Sequence, residues 1–373
     1  MEKKAVTNPG KVRQRGRSTD SPAQWVLGAA KAFVDRVDRL VYPRLIVPAV
    51  ALLPAPVAYG VALLRADLRY TIERRKYPKE IARCLELVFG NQLSLKDRNR
   101  IARDFYRNES CQKIDAMRLF GGGRALLNLV EVRGLDHLKA ALANGKGAVL
   151  CSGHLWSTKN SFSLIGALGI PVTLVARWSY DPPNNPSPIR KLAYRLDNGN
   201  PITFHLHNPN IRRSDIFAAV QGANVVRRNE VLGTLIDGGV IKEDSSNPIS
   251  VDFLNGKALL VPGPATIAQL TGAPLFVMIM RRSPDWRHQL LEITPIRTDA
   301  DTLSIFKDCL SLIESSIRRY PGQWKGWSLG ELAILGLVSP DRAGLGQYTS
   351  QKIGPQETVG SSQRTEILSK ANS

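Results

Sequence analysis

One of the five histidines stands where chemistry is done. The run GAVLCSGHLWSTKNSFSLIGALG sets His154 just past a short apolar stretch, 147–152, and just before a helical pattern near 157–168 whose cap is Ser157 or Thr158. In parallel α/β sheets the carboxyl ends of strands are where ligands and reacting groups collect. An imidazole there, following Gly153, can serve as a general base, though a lone histidine at a strand end is more often a structural hydrogen-bonder. His205 and His207, in TFHLHN, have the spacing of one strand face and suggest a metal pair, but no acidic or cysteine ligand accompanies them nearby, so no metal is expected. Cys84, Cys111, Cys151 and Cys309 are dispersed without a Cys-x-x-Cys pair, which indicates neither a zinc site nor a disulfide framework and fits a reducing, cytoplasmic-side location. A Walker-type loop, a Gly-x-Gly-x-x-Gly turn and a Gly-x-Ser-x-Gly elbow are all missing, which argues against nucleotide hydrolysis, a dinucleotide site and an elbow-type serine hydrolase.

The elements that must position His154 follow from the hydrophobic pattern. From Val130 onward, short apolar runs alternate with helical stretches. Strands are predicted at 147–152, 172–177, 231–236, 275–280 and 290–294, with helices near 134–144, 157–168, 211–222, 262–272 and 302–319. The expected fold class is α/β, a mixed, mostly parallel sheet flanked by helices, with an N-terminal helical membrane-docking region. The domain plan is a disordered basic tail over 1–22, a helical membrane-associating region over 23–129, the α/β domain over 130–337 and a disordered polar tail over 338–373. Within the helical region, Ser94 and Asp97 form a capping-box start, and residues 78–121 are expected to be helical.

The segment LIVPAVALLPAPVAYGVALL, residues 45–64, is uncharged, sits between Arg44 and Arg65, and has about the length that crosses a bilayer. Pro48, Pro54 and Pro56 would break or kink a helix there, so both a spanning helix and a segment lying in one leaflet are open. Basic residues follow it, namely Arg69, Arg74, Arg75, Lys76, Lys79 and Arg83, as a helix seated on anionic headgroups requires; a solvated face is the plainer reading. The chain has 51 Lys and Arg against 32 Asp and Glu, a formal net charge of +19, which predicts attraction to polyanions without choosing among them. Nucleic acid is disfavoured, because no basic aromatic stacking motif or zinc finger accompanies the charge.

Several motifs recur in a particular order: the apolar amino-terminal segment, LSLKDRNRIARDFYRN, GLDHLKAALANGKGAVLCSGH, Arg177 ending a strand, LGTLIDGG with Asp237, VDFLNGKALLVPGPATIAQLTGAPL, and YPGQW at 320–324. In that order, over about residues 40 to 330, the sequence resembles the bacterial lipid A late acyltransferases (lauroyl or myristoyl transferases), which are related to the glycerolphosphate and lysophospholipid acyltransferases. The resemblance implies a glycerolphosphate-acyltransferase-like fold and a place in lipid A and lipopolysaccharide biosynthesis. It also implies a site on the cytoplasmic face of the inner membrane, with an anionic membrane surface and a lipid acceptor as partners. An acyl carrier protein or acyl-coenzyme A is the implied donor, and no cofactor is expected. It assigns His154 to removing a proton from an acceptor hydroxyl. Arg177 and Asp237 are assigned to the same crevice, Arg177 to contact an anionic headgroup and Asp237 to organise the floor. Read without the resemblance, Arg177 is a surface ion-pair partner and Asp237 a turn former ahead of Gly238 and Gly239.

One position departs from the family. Its motif is a histidine, four residues, then Asp or Glu, and here the acid position holds Lys159. An ammonium near the ring opposes a protonated histidine, and Asn160 can accept a hydrogen bond from the ring but supplies no charge. Either another carboxylate, such as Asp237, Glu243 or Asp244, compensates, or the chain is a catalytically impaired or silent homologue that binds lipid or scaffolds a complex.

Overall fold

The computed structural model describes residues 47–73, 77–119, 124–155, 158–174, 202–203, 214–238, 248–328, 332 and 335–337. Both expected tails, Arg177, His205, His207, Glu243 and Asp244 lie outside the described residues.

Proline chemistry divides the long apolar segment. Helix α1 (Val47–Ala51) ends before Pro54, and α2 (Ala55–Glu73) begins directly after it. The Pro54 carbonyl accepts from the amides of Val57 and Ala58 at 3.0 Å, and Pro56 sits in the first turn, where a missing N–H costs nothing. No helix among the described residues is long and apolar enough to cross a membrane. Helix α2 instead has two unlike faces. Ala58, Tyr59, Ala62 and Ala66 are buried against α4 (Leu95–Leu119), while Val57, Val61, Leu64, Leu68 and Ile72 recur at spacings of four, three, four and four along an exposed stripe. Leu64 is 73% exposed.

Between them, α3 (Tyr77–Phe89) leads to α4 through a short 3-10 turn. The Ser94 hydroxyl accepts from the Asp97 amide at 3.1 Å and donates to the Asp97 carboxylate at 2.6 Å, so the predicted start of α4 is realised as a side-chain clasp.

After α5 (Arg124–Leu127), nine strands among the described residues make a seven-stranded sheet and a separate hairpin. The sheet strands are β1 (Val130–Arg133), β2 (Ala148–Ser152), β3 (Val172–Leu174), β4 (Ile202–Thr203), β5 (Val231–Leu235), β8 (Leu275–Arg282) and β9 (Gln289–Ile296). Their order is β1-β9-β8-β2-β5-β3-β4, parallel throughout except for the antiparallel β8–β9 pair. The remaining two, β6 (Ile249–Phe253) and β7 (Gly256–Leu260), form an antiparallel hairpin.

The crossovers run through α6 (Leu135–Ala143), α7 (Thr158–Ala167), α8 (Ser214–Arg227) and α9 (Gly263–Thr271), and α10 (Thr302–Arg319) follows β9. Strand β2 lies near the middle and is buried on both faces. Val149 and Cys151 enter one apolar cluster, with residues of α3, α4, α9 and α10, whereas Ala148 and Leu150 enter a second one with residues of α6 and α7.

The helical region is tied to the sheet by charge. Asp115 of α4 and Arg282 of β8 form an ion pair with no side-chain exposure on either partner. The remaining Asp115 acceptor capacity takes the Tyr59 hydroxyl at 2.6 Å and the Gln289 amide at 2.9 Å. Burial and the neighbouring Asp115 push the Tyr59 hydroxyl well above its ordinary range.

Candidate active site

The site is a consequence of strand register. Strands β2 and β5 are parallel neighbours with Ser152 opposite Leu235, and the Ile236 amide donates to the Ser152 carbonyl at 3.0 Å. Carrying that register two residues past both strands sets His154 opposite Asp237, at the carboxyl edge of the sheet. The His154 Nδ1 lies 2.7 Å from Asp237 Oδ1, and the His154 backbone amide donates to Oδ2 at 2.7 Å. A third donor reaches the same carboxylate: the Trp324 indole Nε1 donates to Oδ2 at 2.7 Å.

The Asp237 side chain is wholly buried, while that of His154 is 37% exposed. Burial alone would raise the Asp237 pKa; the positive form of His154, its ring N–H, the indole N–H and the backbone amide together hold it below the ordinary carboxylate range. An ionised carboxylate only accepts, so Nδ1 must carry the hydrogen and the lone pair resides on Nε2. That is the tautomer a general base needs.

Close packing makes the geometry possible. A Cβ on Gly153 would stand 2.6 Å from Ile313 Cγ2 of α10 and 3.0 Å from Asp237 Oδ2, so only glycine lets the loop pass beneath the carboxylate. The segment after α10 is folded against the same loop. Leu155 and Trp324 form an isolated antiparallel bridge, and the Lys325 amide donates to the His154 carbonyl at 3.0 Å.

Of the residues singled out from sequence, His154 and Asp237 are brought together, and Asp237 is the ring's direct partner rather than a turn former. Lys159 falls in the first turn of α7. Asn160 does not serve the ring; its amide donates to the Gln112 carbonyl of α4 at 3.3 Å. Arg177, Glu243 and Asp244 are outside the described residues. Trp324 belonged to a recognised motif, but nothing in YPGQW says which acceptor its indole reaches. Among the described residues, no group of three His, Cys, Asp or Glu side chains is assembled to hold a metal ion.

No curated protein gives a significant match to the chain. A family model described as bacterial lipid A biosynthesis acyltransferase does match, over residues 44–327. The matched span runs from the apolar amino-terminal helices through both strands that carry the dyad and on to Trp327, and it takes in most of the sequence, so the chain belongs to the family of bacterial lipid A biosynthesis acyltransferases.

Proposed function

We propose that this chain moves a fatty acyl group from an acyl thioester to a hydroxyl of a glycolipid acceptor, with His154 as the base. The observation that carries this reading is the 2.7 Å contact between His154 Nδ1 and the buried Asp237 carboxylate. In the reaction, Nε2 takes the acceptor hydroxyl proton as the oxygen attacks the thioester carbonyl carbon. The tetrahedral intermediate then collapses with cleavage of the C–S bond, and the imidazolium returns the proton to the departing thiolate. An ester and a free thiol result. Positioned proton transfer of this kind is worth roughly 10²–10⁴-fold. Asp237 stabilises the imidazolium, the role otherwise lost with Lys159 at the family's acid position.

The membrane association and the donor belong to the same proposal. The apolar stripe Val57, Val61, Leu64, Leu68 and Ile72 supports a helix lying on a bilayer at the cytoplasmic face of the inner membrane, with Lys79 and Arg83 exposed nearby in the chain for anionic headgroups. An acidic carrier protein or acyl-coenzyme A suits the net charge of +19. Arg177 is proposed to contact an anionic headgroup. The test is transfer of labelled acyl chain to glycolipid acceptor in membranes: His154→Ala should abolish it, and activity surviving that change would place the base elsewhere. The silent-homologue reading rests on Lys159, and it predicts no transfer from the wild-type chain in the same assay.

A further inference from the structure

We infer that Trp324 is a positioning residue of this reaction centre, one whose indole N–H fixes the plane of the Asp237 carboxylate so that its other oxygen faces the His154 ring. The inference rests on the reading of His154 as base and adds a residue to it. A buried carboxylate can turn about its terminal torsion, and that torsion is broad and roughly two-fold in side chains of this type. Of the three donors to Asp237 among the described residues, two come from His154 itself, through its ring and its backbone amide. If both moved with the loop, the carboxylate could follow them. Trp324 is the donor that comes from a different part of the fold, and it is 2.7 Å from Oδ2.

The indole is itself held on every side. It is completely buried, meets Trp327 edge-on with ring centroids 4.7 Å apart, and lies 6.3 Å from Phe253 of β6. A Cβ on Gly326 would stand 2.2 Å from the ring, so the chain doubles back closely over it. The preceding residue, Gln323, is clamped to the backbone of β8: the Arg282 amide donates to its Oε1 at 2.8 Å, and its Nε2 donates to the Arg282 carbonyl at 3.0 Å. On the following side, Lys325 donates to the His154 carbonyl. Trp324 is thus anchored to β8 and to the histidine loop at once, while its side chain ends on the carboxylate. Mere packing would not require the N–H. The neighbouring Trp327 has the same burial but sends its N–H to the Pro321 carbonyl at 2.7 Å, away from the dyad.

That contrast supplies the control. Trp324→Phe and Trp327→Phe each remove a buried indole from one aromatic cluster, and only the first removes a donor from Asp237. Replacing Trp324 with benzothienylalanine, in which sulfur stands for the N–H, keeps the shape and guards against a folding failure of the phenylalanine variant. Expected results are a fall in kcat of about tenfold or more with little change in KM for both Trp324 variants. Nitrogen NMR of the His154 ring should show one Nδ1-protonated tautomer in the wild type and a mixture in those variants, with the Trp327→Phe spectrum like wild type. Should the benzothienyl variant keep wild-type kcat and a single tautomer, Trp324 merely packs and the inference is overturned. Failure of the underlying reading looks different: His154→Ala would then retain transfer.

Discussion

Replacing Asp237 with asparagine changes almost no volume and exposes what the carboxylate does. The wild-type group meets three N–H donors, one at Oδ1 and two at Oδ2. An amide offers one acceptor oxygen and one NH₂. Turning the NH₂ toward the Oδ2 side would oppose two donors that cannot invert, the His154 backbone amide and the Trp324 indole. Turning it toward the ring opposes one donor that can, because imidazole changes tautomer. The second arrangement wins. Nδ1 then accepts, the hydrogen moves to Nε2, and the lone pair required for proton removal is gone. In the serine-protease precedent the same exchange costs about 10⁴-fold in turnover, about 5.4 kcal/mol of barrier. Asp237→Asn should therefore lose kcat on that order while keeping acceptor KM, in the labelled-acyl assay. Lys159→Ala should change little, since Nδ1 already faces an anion. A pH dependence of stability goes with it. Asp237 has a folded pKa below its unfolded value, so its contribution is present above about pH 4 and is lost as pH falls through the lowered value. The stability gap between wild type and Asp237→Asn should narrow on acidification. An asparagine variant with near wild-type turnover would refute the tautomer argument.

Gly153→Ala should be worse than an ordinary surface alanine. Its methyl must displace Ile313 or Asp237, at about 1–3 kcal/mol by thermal or denaturant unfolding, with lost activity even in the fraction that folds. Leu64→Ser with Leu68→Ser should weaken sedimentation with anionic vesicles by about a hundredfold, because each leucine withdrawn from lipid forfeits about 1.5 kcal/mol or more; helix content should not change. Arg282→Ala removes the buried ion-pair partner of Asp115, and urea unfolding should report a loss of about 3–5 kcal/mol.

Strands β2, β5, β8 and β9 were each apparent as apolar runs, and α10 was predicted over the residues it occupies, because these depend on local periodicity. Strand β1 was missed: four residues, alternately half-buried and exposed, carry too little pattern. The β6–β7 hairpin was missed too, its Val251 and Phe253 alternating with polar neighbours inside a motif recognised only for its resemblance. The dyad shows the limit more sharply. His154 and Asp237 could each be found past the end of an apolar run, but their pairing depends on β2 and β5 being neighbours in register across 83 residues of chain. Nothing local encodes that. For the same reason the sequence, with Lys159 at the family's acid position, could offer several carboxylates as the ring's partner without choosing among them. The apolar segment failed as one long helix for a local cause that was visible, the proline at 54.

Helix α2 answers to two masters. Its outer stripe is exposed, whereas its inner face holds Tyr59 on the Asp115–Arg282 pair and is bound to the sheet by that contact. The element proposed to meet lipid is therefore not a detachable anchor. Cutting the chain after it would strip a hydroxyl from a buried carboxylate and uncover α4, so a shortened protein would fail by misfolding and tell nothing about the bilayer. Any test of membrane attachment therefore has to alter the stripe alone, residue by residue.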